Sequence, residues 1–152
     1  MLPLLLALAA SPPADAADGR RSVALLLNPA QLTLPRAELT VDVRVASRTS
    51  VAGLLGVDLA SPLKLSHFGG QVRHAFAGEW ERGAFLGGEV VTGDGSFLHE
   101  DTSGVAFGAM VGGRYTFNPA LTLEAAVGGR LHWKYEKLYP GALLNLGFGW
   151  SF

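Results

Sequence analysis

The chain has 152 residues, no cysteine, a formal net charge of −1, and only 16% charged against 49% hydrophobic residues. This length suits one domain with a modest core. The absence of cysteine excludes disulfide scaffolds, thiol catalysis and thiolate metal sites. Twelve basic and 13 acidic residues create no basic field, so we expect no nucleic-acid partner. The charged fraction lies below the roughly 25% that is usual for soluble domains.

The N-terminal segment resembles an export signal. Leu2 to Ala10 form a short apolar run, Ser11, Pro12 and Pro13 interrupt it, and Ala14-Asp15-Ala16 offers small residues for cleavage, although no Lys or Arg precedes the run. The run is too short to span a bilayer as a helix, which needs about 20 residues. We therefore predict a signal peptide over residues 1–17 and a mature domain over 21–152.

The remaining chain alternates with a period of two and contains no convincing amphipathic helix. Between Arg36 and Ala46, for example, Leu39, Val41 and Val43 share one face. Turn residues separate about eight such runs, the smallest common number for a closed barrel. We predict an all-β, eight-stranded antiparallel up-and-down transmembrane β-barrel. Its predicted strands are 21–28, 36–46, 50–59, 70–77, 83–92, 104–117, 121–135 and 141–152. All prolines of the domain are predicted to lie between strands.

The alternation alone fits a soluble barrel or a membrane barrel, but residue size favours the membrane. The polar face is rich in small residues such as Gly108, Gly112 and Gly128, which suit a crowded lumen. The apolar face carries bulky residues such as Trp133 and Trp150, which lipid accommodates. We therefore expect the apolar face to point outward.

The connections and the aromatic residues indicate two different ends. The connections at 46–50, 78–82 and 118–120 are short and fall on one predicted side, whereas those at 29–35, 60–69 and 93–103 are longer and fall on the other. Short periplasmic turns and longer external loops are typical of outer-membrane barrels. Aromatic girdles are expected near both interfaces. The residues predicted to form them are Phe76, Tyr115 and Phe117 at the periplasmic rim, and Phe107, Trp133 and Tyr135 at the outer rim.

The C-terminal run Leu144-Asn145-Leu146-Gly147-Phe148-Gly149-Trp150-Ser151-Phe152 alternates apolar and small or polar residues and ends in Phe. With this run, residues 21–152 resemble the small outer-membrane barrels of the OmpA transmembrane-domain and OmpX type. The resemblance implies the outer membrane of a Gram-negative-type bacterium, with its lipids and lipopolysaccharide as surroundings. It also implies that the outer-membrane assembly machinery recognises a terminal signal, here Leu144, Leu146, Phe148, Trp150 and Phe152.

Charged residues on the polar face are predicted to fill the lumen. Charges removed from water must be paired and hydrogen-bonded, so we expect a mutually paired plug, with a polar path for ions or solutes as the alternative. A shift of one residue would turn these side chains toward lipid, so the plug also fixes the register. The predicted network is Glu38, Asp42, Arg44, Arg73, Glu89, Arg114, Glu124, Arg130, His132 and Lys134.

The chain carries no catalytic motif that we can identify. It lacks G-x-S-x-G, HExxH, Walker and dinucleotide-binding patterns. The residues that follow His67 and His132 also differ from the His-x-Ser-Asn arrangement of a barrel lipid A deacylase. We expect a structural or interaction-type protein without cofactor, metal or catalytic residue, acting through external loops whose partner the sequence leaves open. The alternatives are a soluble lipocalin-like carrier, a narrow pore and a lipid A-modifying enzyme.

Overall fold

A computed structural model describes residues 21–28, 36–59, 64–94, 103–117, 120–134 and 137–152. The predicted signal peptide lies outside these residues. The described part of the chain forms eight strands, and it contains no helix long and apolar enough to cross a membrane. The strands are β1 (Val23–Asn28), β2 (Arg36–Arg44), β3 (Thr49–Asp58), β4 (Lys64–Gly78), β5 (Arg82–Asp94), β6 (Ser103–Thr116), β7 (Leu121–Lys134) and β8 (Lys137–Ser151).

The strands form a closed barrel in which each strand pairs antiparallel with the next, and β1 pairs antiparallel with β8 to complete the ring. The prediction of an all-β, eight-stranded up-and-down barrel is confirmed. We call the end that carries the connections 45–48, 79–81 and 117–120 and both ends of the domain the turn end. The opposite end, with the connections 29–35, 59–63, 95–102 and 135–136, is the loop end.

The predicted long connection at 60–69 is wrong, because β4 begins at Lys64. The pairing of β3 with β4 shifts register beside Gly56 and Val57, which leaves Ser66 without a partner in that ladder. Such a bulge adds one residue to a strand and breaks the alternation of faces. The period-two pattern therefore does not extend through residues 64–69 in the sequence, although the strand does.

Pro140 lies within β8, opposite Leu131, and not between strands as predicted. The pairing of β1 with β8 ends at Leu27 and Phe148. At the height of Pro140, β7 is therefore the only described strand that pairs with β8. Sheets tolerate proline at such edge-like positions, where a missing N–H need not interrupt two ladders.

Burial alternates along the strands in the predicted sense. Inward residues of the turn-side half are buried, whereas outward residues such as Leu86, Val111, Val127 and Leu144 are exposed. The lumen is not purely polar, because Phe85, Met110, Ala126 and Leu143 form an apolar cluster inside it. A smaller one joins Ala24 and Leu26 to Trp80. The lumen therefore holds two apolar clusters as well as polar groups.

Candidate functional site in the barrel lumen

Four buried charges from four strands meet in the turn-side half of the lumen. The Nη1 atom of Arg73 lies 2.9 Å from Glu124 Oε2 and 3.2 Å from Asp42 Oδ2. The Nη2 atom of Arg114 lies 2.6 Å from Glu124 Oε2 and also contacts Asp42 Oδ2. All four residues are at most 5% exposed. The central cluster of Asp42, Arg73, Arg114 and Glu124 thus balances two guanidinium groups with two carboxylates.

A second group continues the network toward the loop end. The Nε2 atom of Gln71 donates to Glu89 Oε2 at 2.9 Å, and its Oε1 accepts from Arg73 Nε at 2.9 Å. Arg130 Nε contacts the other oxygen of Glu89. Gln71 therefore links the central cluster to the Glu89–Arg130 pair, and it contributes an amide that can donate and accept at once.

A third group surrounds Glu38 near the loop end. His67 Nε2 lies 2.7 Å from Glu38 Oε2, and Asn28 Nδ2 donates to Glu38 Oε1 at 3.1 Å. The hydroxyl of Ser66 lies 3.0 Å from His67 Nδ1. The imidazole lies over Gly56, where an added Cβ would be 2.6 Å from His67 Nε2. The bulge of β4 and this glycine together position the ring against the buried carboxylate.

The Ser66–His67–Glu38 chain has the order of groups found in nucleophilic hydrolases. Ser66 is 4% exposed, and the contact between His67 and Glu38 joins β4 to β2. Asn28 also donates to Asn145 at 3.0 Å, and Asn145 donates to Glu124 at 3.4 Å, so this group joins the central cluster as well.

Trp80 covers the turn end of the lumen. It belongs to the connection between β4 and β5, yet it is only 5% exposed and lies against Ala24 and Leu26. The guanidinium of Arg114 lies 4.9 Å from the centre of the indole ring, a cation–π distance. A ladder of buried hydroxyls lies at the same end. It comprises Thr116, Thr122 and Ser151, with oxygens 3.0 and 2.6 Å apart.

The structure brings together most of the predicted lumen residues and leaves others apart. Arg130 is partly exposed toward the loop end, and His132 is exposed there. Arg44 is buried but forms no ion pair among the described residues. The Lys134 side chain lies outside the described part. Members not predicted from sequence are Asn28, His67, Gln71, Trp80 and Asn145. The alternation could have indicated three of them, because inward-facing positions of predicted strands hold Asn28, Gln71 and Asn145. The other two, Trp80 and His67, lay in predicted connections, where the alternation assigns no face.

The predicted aromatic and C-terminal residues lie on the outward face. Trp133 is 57% exposed and Phe107 46% near the loop end. Arg82, which stacks 4.8 Å from the centre of the Tyr115 ring, is the only Asp, Glu, Lys or Arg among the described outward side chains of the strands. Tyr135 lies outside the described residues. The other outward residues of these two sets are Phe76, Tyr115, Phe117, Leu144, Leu146, Phe148, Trp150 and Phe152.

No protein-family model, curated protein or solved structure matches this chain. Within the described residues, no group of three or more His, Asp or Glu side chains is placed to hold a metal ion. The site is therefore characterised by its own geometry, which is that of a hydrogen-bonded charge network enclosed by a barrel wall.

Proposed function

We propose that this protein is an integral β-barrel of the outer membrane of a Gram-negative-type bacterium, of the OmpA and OmpX kind. Its packed lumen serves a structural role, and its loops serve interactions. The lipids and lipopolysaccharide of that membrane surround the barrel, and the assembly machinery recognises the C-terminal strand. No residue performs catalysis under this proposal.

The chemistry of the outward face carries the proposal. Leu86, Val111, Val127 and Leu144 lie side by side across β5 to β8 and are 57%, 45%, 56% and 54% exposed. Soluble monomers rarely expose apolar patches of more than a few hundred Å². A continuous apolar wall with its described charge restricted to Arg82, at the turn-side rim, fits hydrocarbon as the solvent.

The interior supports a packed lumen over a carrier or a pore. A lipocalin-like carrier needs an apolar cavity, whereas the central cluster places four charges across this lumen. A pore needs a continuous water path, whereas Trp80 and the cluster of Phe85, Met110, Ala126 and Leu143 occupy successive levels. Eight strands enclose just enough space for such side chains.

The absence of cysteine from the natural chain permits a direct test in membranes. We expect Val127→Cys, on the outward wall, to resist a water-soluble maleimide in intact outer-membrane fragments, because lipid covers it. Ser47→Cys, in the exposed turn between β2 and β3, serves as the matched control and reacts at once. Heating the fragments in SDS, which dissolves the lipid and unfolds the barrel, should make both cysteines reactive.

A soluble carrier gives the opposite pattern. The protein would then appear in the periplasmic fraction without detergent, and Val127→Cys would react as fast as Ser47→Cys. That result would overturn the proposal, whatever the state of the lumen.

A further inference from the structure

A groove on the outward wall crosses β6, β7 and β8 in the turn-side half. Arg82, the only Asp, Glu, Lys or Arg among the described outward side chains of the strands, lies beside it. From this pairing we propose that the groove binds one acyl chain of an anionic glycerophospholipid whose phosphate lies on Arg82. The inference rests on the proposed membrane location and deepens it, because it names one specific lipid site on the wall.

The groove is an open, apolar depression with a volume of about 590 Å³. Its floor lies at Gly113 and Ala125, which are paired across β6 and β7 and carry little or no side chain. Binding sites for small molecules usually measure roughly 300–1,000 Å³, so the groove has room for part of a lipid. The outward side chains around its floor are all large and apolar or aromatic: Tyr115, Leu123, Leu146 and Phe148.

The groove rises from the turn end toward the middle of the wall. Arg82 is the first residue of β5, and its row of paired residues continues through Tyr115 and Leu123 to Phe148. Phe148 lies three positions before the end of β8 at Ser151, and both strand ends belong to the turn end. An acyl chain that enters beside Arg82 and follows this row therefore runs into the wall, as a lipid of the periplasmic leaflet requires.

Arg82 is placed to hold the headgroup. Its Nε donates to the carbonyl oxygen of Thr116 at 3.0 Å, and its guanidinium lies 4.8 Å from the centre of the ring of Tyr115, which lines the groove. A guanidinium can bind phosphate through parallel N–H bonds, and a cation near a membrane surface attracts anionic lipids. The neighbouring Glu81 is paired with Arg21 at 3.3 Å, so this outward corner favours a lipid of net negative charge.

The test measures which lipid stays on the purified, folded full chain during native mass spectrometry from a neutral detergent. The probe is an equimolar mixture of phosphatidylglycerol and phosphatidylcholine with identical acyl chains. We expect one phosphatidylglycerol per barrel and about a fivefold preference over phosphatidylcholine, the effect of roughly one arginine near an anionic lipid. Arg82→Gln should remove this preference.

Gly113→Leu and Gly129→Leu form a matched pair of groove variant and control. Both glycines are outward positions where an added Cβ would meet only one carbonyl oxygen, Gly83 O at 3.8 Å and Gly141 O at 3.9 Å, respectively. Both variants should therefore keep the heat-modifiable band of the folded barrel. Gly113 lines the groove and Gly129 does not, so Gly113→Leu should lose the bound lipid and Gly129→Leu should retain it.

Equal retention of the two lipids by the unaltered chain overturns the inference, and so does a bound lipid that Gly113→Leu leaves in place. A dimer mass without lipid also overturns it, because the groove would then belong to a second copy of the chain. The cysteine labelling described above tests the membrane location separately. Protection of Val127→Cys in membranes, together with no retained lipid, rejects the lipid site alone.

Discussion

At the residue scale, the lumen depends on carboxylates that are each shared by more than one cation. Glu124 Oε2 accepts from both Arg73 and Arg114, and Asp42 Oδ2 contacts the same two guanidinium groups. Removing one member of such a buried group leaves an uncompensated charge, which costs more than the pair itself contributes. We therefore expect the residues of this central cluster to be the most sensitive of the described lumen positions.

Arg114→Leu is expected to destabilise the folded barrel by about 3–5 kcal/mol, because Asp42 and Glu124 would then share only Arg73. Arg130→Leu should cost less, since the Arg130 side chain is 22% exposed and Gln71 still donates a hydrogen bond to Glu89. The temperature at which the folded band disappears in SDS gels, together with urea unfolding, measures both effects. Arg82→Leu, on the outward face at the turn end, is the control, and equal midpoints for all three variants would contradict the paired plug.

At the element scale, closure depends on the short seam between β1 and β8. Its described register runs only from Ala24 to Leu27, opposite Ser151 to Phe148. Gly149 makes the approach possible, because an added Cβ there would lie 2.8 Å from the carbonyl carbon of Leu25. Gly149 thus allows β8 to pair closely with β1, while the residues on either side of it carry apolar side chains that point outward.

Gly149→Ala should lower the fraction of chains that close into a heat-modifiable barrel, because its methyl group separates β1 from β8. Gly129→Ala is the matched control, since an added Cβ at this outward position meets Gly141 O at 3.9 Å, an ordinary contact. Folding yield in detergent, read from the shifted band on unheated SDS gels, measures the difference. A Gly149→Ala yield equal to that of Gly129→Ala would show that the seam tolerates the methyl group.

At the scale of the whole molecule, the two faces of one sheet have opposite chemistry. The inside carries the paired charges. The outside carries exposed apolar residues in seven of the eight described strands and half-buried ones in β2. An eight-stranded ring has an inside too narrow for bulky residues from every inward position. The small residues of the inward face and the large residues of the outward face follow from this geometry.

The proposed membrane location makes the cost of an outward charge depend on its height. Val127→Arg, in the middle of β7, should cost about 2–4 kcal/mol in a bilayer, whereas Val45→Arg, at the turn end, should cost about 0–1 kcal/mol. Urea unfolding from lipid vesicles measures both values. If the two substitutions cost the same, the outward face does not lie against hydrocarbon.

The amino-acid sequence determined the strand number, the closed up-and-down order and the assignment of faces. These depend on a local pattern, the alternation of side chains, which is visible wherever the pairing is regular. The prediction from alternation failed at Ser66, because a bulge interrupts the alternation there. The prediction that proline lies between strands failed at Pro140, because β8 is paired on only one described side at that height.

Only the tertiary structure decided which lumen residues touch. Asp42 and Arg114 are 72 positions apart, and their contact depends on the stagger of eight strands, which no local pattern encodes. The same closure placed Trp80 of a turn beneath the lumen and left Arg44 without an ion-pair partner among the described residues. The alternation of residues predicts that a side chain points into the lumen. Which side chains it contacts there depends on the stagger and the tilt of each strand in the barrel.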